Sequence, residues 1–321
     1  MSVLGYCTIK WKKLYRKWVL YIMENPKVHT LIVIFIGVIS VSASAIFVKL
    51  ADTTAGTTAF YRMFLSVLIM LPLFLNRYVH ELKQLVKRDW IFSSIAGVLL
   101  AFHFILWFES LNYTSVASST VLVTLQPLFA VFGTYIFFKD RVGAKGILAM
   151  AIAIGGSVLI SWGDFKVGGT AFYGDILALI ACAFVTGYML FGQNVRRRVG
   201  LTTYTMIVYT VSTITLALYV WTKGETFIVT RPMDWFWFVL LAIVPNLLGH
   251  NLFNWALKYV SANTISIAIL FEPVGASILA YFIFAEKLIA TQYIGGSIII
   301  VGILLYIVDG KKLLKLFQKN S

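Results

Sequence analysis

The sequence predicts an all-α integral membrane protein with ten transmembrane helices, arranged as two inverted repeats of five helices each. Three observations lead to this prediction: apolar runs of about twenty residues, a repeat relating the two halves, and basic residues concentrated on one side of the membrane. The chain has 321 residues, of which 60% are hydrophobic and 12% charged, with a mean hydropathy of +0.87. This composition leaves little of the chain for a soluble domain.

Hydropathy averaged over about 19 residues predicts the membrane spans. The runs are continuous rather than alternating, which excludes a β-barrel, whose strands alternate apolar and polar residues. The ten predicted spans are 28–50, 57–76, 90–111, 114–138, 144–162, 172–193, 203–222, 234–256, 261–285 and 290–308.

The distribution of positive charge predicts the orientation of the chain. If the amino terminus is cytoplasmic, 21 Lys and Arg residues lie on the cytoplasmic side and five on the other side. The positive-inside rule then places both termini in the cytoplasm, with the protein in the cell membrane. The same bias accounts for the net charge of +14, so that no nucleic-acid partner is needed; the expected partners are the lipid bilayer and a small solute.

An internal repeat divides the chain. The segment "NYTSVASSTVLVTLQPLFAVFGTYIFFKDRV" aligns without gaps on "KYVSANTISIAILFEPVGASILAYFIFAEKL". The aligned pairs include Tyr113 with Tyr259, Ser115 with Ser261, Pro127 with Pro273, Asp140 with Glu286 and Arg141 with Lys287. Because each half has an odd number of spans, the second half must cross the membrane in the opposite sense. Inverted repeats are typical of secondary transporters, whose solute site lies near the midplane between the halves.

These boundaries give four predicted segments. Residues 28–162 form the first five-helix repeat and residues 172–308 the second. Residues 1–27 form a basic, amphipathic cytoplasmic tail that lies on the inner leaflet, and residues 309–321 a basic cytoplasmic tail. The tail and first span also imitate a secretory signal ending in "ASA", but that run stays apolar to Val48 and the repeat needs this helix.

The sequence resembles the drug/metabolite transporter superfamily with paired EamA domains. The resemblance covers residues 32–161 and 173–308. It rests on the two-half layout and on motifs of the fourth and ninth spans. These spans begin with "Y-[TV]-S-[VA]" and end with "FFKDRV" and "FAEKL", and the ninth also contains "EPV". It implies a carrier, mostly an exporter or permease, of amino acids, metabolites and related small solutes. The first half departs from the second by having Gln126 where the second has Glu272.

Glu272 and Gln126 each precede a proline near the middle of a span. Pro127 and Pro273 are predicted to kink their helices and to free a carbonyl that a partner helix or a wet cavity must satisfy. The two polar residues lie about ten residues, or about 15 Å, from the span ends. A charged carboxylate at that depth costs ~3 kcal/mol on insertion scales. Glu272 is therefore either a proton carrier in an interior cavity or a neutral residue that fixes the kink.

Further polar residues within the spans are candidates for the solute cavity. His103 and Trp107 share one face of the third span, because they are four residues apart. The same spacing places a polar stripe, Asn246, His250 and Asn254, on the eighth span, with Asn251 beside it. The predicted cavity residues are His103, Trp107, Gln126, Asn246, His250, Asn251, Asn254, Glu272 and Tyr61. Helix-to-helix hydrogen bonding is the alternative role for the histidines.

Arg62 and Glu109 are predicted to lie at similar depth near the outer ends of the second and third spans. Their opposite charges suggest an outer ion pair, which would either stabilise the packing of the two helices or act as an external gate.

The sequence contains no recognisable catalytic, nucleotide-binding or metal-binding motif, so no enzyme activity, cofactor or metal is expected. Cys7 and Cys182 indicate neither a disulfide nor a metal site. Transport would then be driven by an ion gradient or by the solute's own gradient. The alternatives are a broad drug exporter, a non-transporting membrane scaffold or sensor, and a membrane-embedded enzyme for lipid-linked substrates using His103, Glu109 and His250.

Overall fold

The computed structural model describes residues 26–162, 169–285 and 290–307. These residues contain helices and no strand, so the all-α prediction is confirmed for the described part of the chain. Eight helical stretches there are long and apolar enough to cross a membrane, and two shorter apolar helices occur at Ala144–Leu159 and Tyr293–Ile307. The predicted tails, and Glu286 and Lys287 of the repeat comparison, lie outside the described residues.

The first half begins with a span that consists of two helices separated by one residue, and its fourth span is divided in the same way. A short 3₁₀ helix, Val79–Gln84, connects the second span to the third. The α-helices of this half are α1 Pro26–Ser42, α2 Ser44–Leu50, α3 Ala55–Arg77, α4 Lys87–Ser110, α5 Val116–Thr124, α6 Gln126–Phe138 and α7 Ala144–Ser161.

The second half contains two further interruptions. Its third helical stretch passes through a π-helical segment, Ala242–His250, which includes Pro245. The α-helices are α8 Thr170–Val195, α9 Leu201–Lys223, α10 Pro232–Leu241, α11 Asn251–Ala256, α12 Ala262–Ile269, α13 Glu272–Phe284 and α14 Ala290–Ile307.

The helix breaks beside the two prolines have the same local form in both halves. Pro127 and Pro273 lie in the first turn of α6 and α13, where the missing N–H of proline costs least. Two residues before each proline, the backbone amide donates to the carbonyl three residues earlier: Leu125 to Leu122, and Phe271 to Ala268. These spans are therefore divided into two half-helices each.

Several corresponding helices of the two halves pack against each other, and the fifth spans, α7 and α14, do so in antiparallel directions. In the α7–α14 pair, a Cβ added at Gly156 would lie 2.6 Å from the carbonyl oxygen of Gly295, and one at Gly302 would lie 2.7 Å from the amide nitrogen of Ala153. The α5–α6 span crosses the α12–α13 span, so that α5 contacts α13 and α6 contacts α12. Small residues permit the close approach that drives helix association in lipid.

Gly275 allows α13 to approach α1 closely. A Cβ at this position would lie 2.7 Å from the Cβ of Ser42 and closer still to its hydroxyl oxygen. Because one of the crowded atoms is the Ser42 Cβ, a change of rotamer cannot relieve the clash. This contact sets the distance between the two helix interruptions at Ala43 and at Leu270–Phe271.

We therefore expect Gly275→Ala to destabilise the protein by about 1–3 kcal/mol, the usual cost of overpacking. Gly155→Ala is the matched control, since Gly155 is exposed and a Cβ there meets nothing within 4 Å. Alanine is the better helix former at both positions. Thermal melting of the purified protein in detergent should give a lower midpoint for Gly275→Ala only. Equal midpoints for the two variants would contradict the close packing.

Candidate functional site

A small closed cavity lies where the interrupted helices meet. It has a volume of about 20 Å³, which is room for about one water molecule. Five of the nine predicted cavity residues line it: His103, Trp107, Gln126, His250 and Glu272. The rest of its wall comes from Val41, Ser44, Val123, Val185, Phe253 and Ile269. In this conformation the cavity is too small for an organic solute.

Glu272 and Gln126 reach the cavity because each begins the second half-helix of a divided span. Both are buried, at 6% and 4% exposure. Glu272 lies in the first turn of α13, where the helix dipole favours a negative charge. The Oε1 atom of Gln126 has no hydrogen-bond partner within the described residues. The repeat therefore places an acid and its neutral amide counterpart in one wall.

His103 and His250 belong to a group of rings on one side of the cavity. The ring centroids of His103 and Trp107 are 5.8 Å apart and nearly parallel, and those of His103 and His250 are 6.3 Å apart. His103 Nδ1 lies 3.0 Å from the carbonyl oxygen of Ala181. Because a carbonyl can only accept, this nitrogen carries the proton and Nε2 is left to interact elsewhere.

Arg62 lies beside the cavity rather than in an outer ion pair. Its side chain is fully buried, and its Nη1 donates to the hydroxyl oxygen of Ser44 at 2.8 Å. The guanidinium carbon lies 4.1 Å from the centroid of the Phe104 ring, a distance typical of cation–π contacts. The predicted pair with Glu109 is absent among the described residues, because the arginine side chain points into the bundle.

Glu109 has other partners, at the end of α4. Its Oε2 accepts from Asn112 Nδ2 at 3.4 Å. The half-buried Glu109 carboxylate also raises the pKa of Tyr113, by its charge and by a hydrogen bond. Glu109 therefore belongs to the connection between α4 and α5.

The asparagine stripe predicted on the eighth span does not face the cavity as a unit. Asn246 Nδ2 donates to Ser66 Oγ at 2.8 Å, and Asn254 Oδ1 accepts from Tyr188 at 2.7 Å. Asn251 is half-buried and does not line the cavity. Only His250 of this stripe does. The π-helical segment changes the angle between Asn246 and His250.

Tyr61 lies away from the cavity, at one end of the bundle. Its hydroxyl donates to the carbonyl oxygen of Phe227 at 2.6 Å, and its ring stacks on Phe238. In the same region Thr57 Oγ1 donates to the carbonyl oxygen of Thr226 at 2.8 Å, and Glu225 accepts from the Thr57 amide at 3.2 Å. We call this inter-half contact, formed by residues 50–61 and 225–234, the Thr57 end.

The opposite end of the bundle is closed by other contacts between the halves. Arg198 pairs with Asp89, and Thr203 donates to Glu81. We call this contact, formed by residues 81–89 and 196–203, the Arg198 end. Nearby, Arg196 Nε donates to the carbonyl oxygen of Asn254 at 2.8 Å, and desolvation lowers the pKa of Arg196.

A second cavity of about 460 Å³ opens between the halves near this end. Gln193 lies in its wall and accepts from the amide of Ala262 at 2.7 Å. The wall also carries three basic residues, Lys139, Arg197 and Lys258. An open cavity at one end and a closed one at the centre are compatible with a pathway through the bundle.

Comparison with known proteins gives the family. The EamA-like transporter family matches residues 29–162 and again residues 172–308. An uncharacterized transporter of Synechocystis sp. is 26% identical over 78% of this chain and 74% of its own length. An uncharacterized transporter of Archaeoglobus fulgidus is 23% identical over 85% of this chain and 94% of its own. A third, from Bacillus subtilis, is 25% identical over 80% and 87%.

A protein of known crystal structure has the same fold, with a TM-score of 0.70, 17% identity and coverage of 86% of this chain and 96% of its own. The family, the named relatives and the apolar helices are those of a multi-pass membrane transporter rather than an enzyme. Two matches to one family in a single chain also agree with the internal repeat found in the sequence. The chain belongs to the EamA-like transporter family.

Proposed function

We propose that this protein is a secondary transporter, an exporter or permease, of small solutes such as amino acids or related metabolites. The observation that carries the proposal is the closed central cavity bordered by four helix interruptions. Titratable side chains, which are expensive to bury, face this cavity from both halves: His103 from the first, and His250 and Glu272 from the second. A membrane scaffold does not need such a cavity.

Ten crossings in two inverted repeats fit the packing. The contacts between the halves come in equivalent pairs. The third span of the first half, α4, packs on the first span of the second half, α8. In the same way the third span of the second half, at its π-helical segment, packs on the first span of the first half, α1. The α3–α9 pair corresponds to itself and runs antiparallel, since the start of α3 at Thr57 meets the residues that follow α9. Antiparallel packing of corresponding helices is what opposite crossing directions require.

Alternating access would proceed by opening one inter-half contact at a time. The Thr57 end and the Arg198 end both join residues of the first half to residues of the second. Rocking one half against the other breaks the polar contacts at one end and keeps those at the other. The closed central cavity then corresponds to an occluded intermediate between the two open states.

Glu272 is the proposed site of proton coupling. The charge of Arg62 acts on it, and His103 and His250 share its cavity. Gln126 occupies the corresponding position in the first half and satisfies the same helix geometry without a titratable proton. A carboxyl group that faces each side in turn can bind a proton on one side and release it on the other.

The coupling role predicts the behaviour of Glu272→Gln in proteoliposomes with an imposed pH gradient, screened over amino acids and metabolites. We expect the wild type to accumulate a solute against its gradient. The variant should exchange that solute but lose pH-driven accumulation, because glutamine cannot titrate. Glu109→Gln, which removes a carboxylate outside the cavity, should behave as wild type. Undiminished accumulation by Glu272→Gln would exclude the coupling role.

Cysteine labelling tests the proposed orientation, with both termini cytoplasmic. In a Cys7→Ser background, which leaves only the buried Cys182, Ile228→Cys should react with an impermeant thiol reagent on intact cells. Ile228 is 75% exposed in the connection between α9 and α10. Lys83→Cys, exposed in the 3₁₀ helix, should react only after lysis. The reverse pattern would overturn the orientation.

Cross-linking tests whether the Thr57 end opens during transport. The double variant Thr57→Cys, Thr226→Cys should transport solute while reduced. A short bifunctional thiol reagent should stop its flux, and reversal of the cross-link should restore it. The two single variants treated with the same reagent are the controls. Full flux through the cross-linked protein would contradict alternating access at this end.

A further inference from the structure

Arg62 is a buried cation with most of its hydrogen-bonding capacity unused. Its side chain is 0% exposed, and of its guanidinium nitrogens only Nη1 donates, to Ser44. Nε and Nη2 have no hydrogen-bond partner within the described residues. A guanidinium presents five N–H donors, and a buried charge is stable only when it is paired and hydrogen-bonded. The position of Arg62 therefore requires an explanation.

Within the described residues, no carboxylate forms an ion pair with Arg62. The two ion pairs there join Arg198 to Asp89 and Arg231 to Asp234, near the ends of the bundle. Glu272 is the carboxylate whose charge acts on Arg62, although the two groups form no direct pair. In this closed conformation the Phe104 ring and the Ser44 hydroxyl are what stabilise the cation.

Arg196 shows how the same fold accommodates an arginine with a structural role. It is also buried, at 3% exposure. Its Nε donates to the carbonyl oxygen of Asn254 and its Nη1 to that of Val199. Both acceptors are backbone carbonyls, one in α11 and one in the connection between α8 and α9. Within the described residues Arg62 has no backbone acceptor of this kind, so a structural role alone does not explain it.

The two unused donors of Arg62 are adjacent on its guanidinium group, whose Nη1 bonds to Ser44 of the cavity wall. Nε and Nη2 are on one edge of the guanidinium plane, and their parallel N–H bonds match the two oxygens of a carboxylate. Ser44, which bonds to Arg62, lines the cavity. Ser44 is also the first residue of α2, next to the helix interruption at Ala43. A movement of α2 against α1 would break the Ser44 contact and open space beside the guanidinium group of Arg62.

We infer that Arg62 binds a carboxylate group of the transported solute, which pairs with Nε and Nη2 when the cavity opens. This inference rests on the proposed transport function and narrows the solutes to carboxylic acids. The carboxylate supplies the direct hydrogen-bonded partner that Nε and Nη2 lack among the described residues. The remaining wall, with Trp107, Phe253 and Ile269, offers apolar and aromatic surface to the rest of the solute.

The inference is tested with matched acids and their neutral or amine analogues on the full-length protein in proteoliposomes. The probes are L-leucine against L-leucinamide and 3-methylbutylamine, and L-phenylalanine against L-phenylalaninamide. We expect flux of at least one acid, and at least tenfold lower flux of its analogue. The same acid, and not the analogue, should raise the melting temperature of the protein in detergent.

Arg62→Met and Arg62→Lys separate binding from folding. Arg62→Met removes an unpaired charge, so its melting temperature should stay close to wild type while the preference for acid over analogue disappears. Arg62→Lys keeps the positive charge but cannot form the bidentate hydrogen bonds to a carboxylate, and should transport the acid at a reduced rate. Arg196→Met is the matched control, in which stability should fall while the acid preference per folded molecule is kept.

Three outcomes would overturn the inference. Preferred flux of the amides or the amine would exclude a carboxylate anchor and leave the transport function intact. An acid preference retained in Arg62→Met would assign that preference to other residues. Flux of no probe would count against both the inference and the proposed amino-acid and metabolite class. If Arg62→Met does not fold, the wild-type comparison and Arg62→Lys decide the question.

Discussion

Lipid offers no hydrogen bond to a peptide group, and this constraint determines where the helices of this protein can be interrupted. Ala43, Leu125 and the Leu270–Phe271 pair break three spans, and a fourth is π-helical from Ala242 to His250. All four interruptions border one cavity inside the bundle. Backbone groups freed at these points face protein or water, so the same constraint that restricts the breaks also concentrates the polar chemistry of the molecule at its centre.

The sequence predicted the two breaks beside Pro127 and Pro273 but not the π-helical segment, although that segment contains Pro245. Proline removes an amide donor wherever it occurs, so Pro127 and Pro273 marked two interruptions and placed Gln126 and Glu272 beside them. The break at Ala43 carries neither proline nor glycine and was not predicted. A signal was present in the alternating serines at 40, 42 and 44, whose hydroxyls compete for backbone hydrogen bonds.

Depth in the membrane was easier to predict than the direction in which a side chain points. Counting residues along a span gives the depth of a side chain but not its direction. Arg62 and Glu109 therefore do not pair: Arg62 bonds to Ser44, and Glu109 accepts from Asn112. The asparagine stripe was placed by the periodicity of a regular α-helix, and the π-helical segment changed that periodicity. The residues that did reach the cavity, His103 and His250 among them, lie on helices that contact each other across the boundary between the halves.

The small volume of the central cavity also has an electrical consequence. A chain of hydrogen-bonded waters across the bundle would conduct protons continuously, whether or not solute moved. With both ends joined by polar contacts, the cavity at the centre has room for about one water molecule and not for such a chain. In this conformation the centre of the bundle therefore offers no continuous water path for protons.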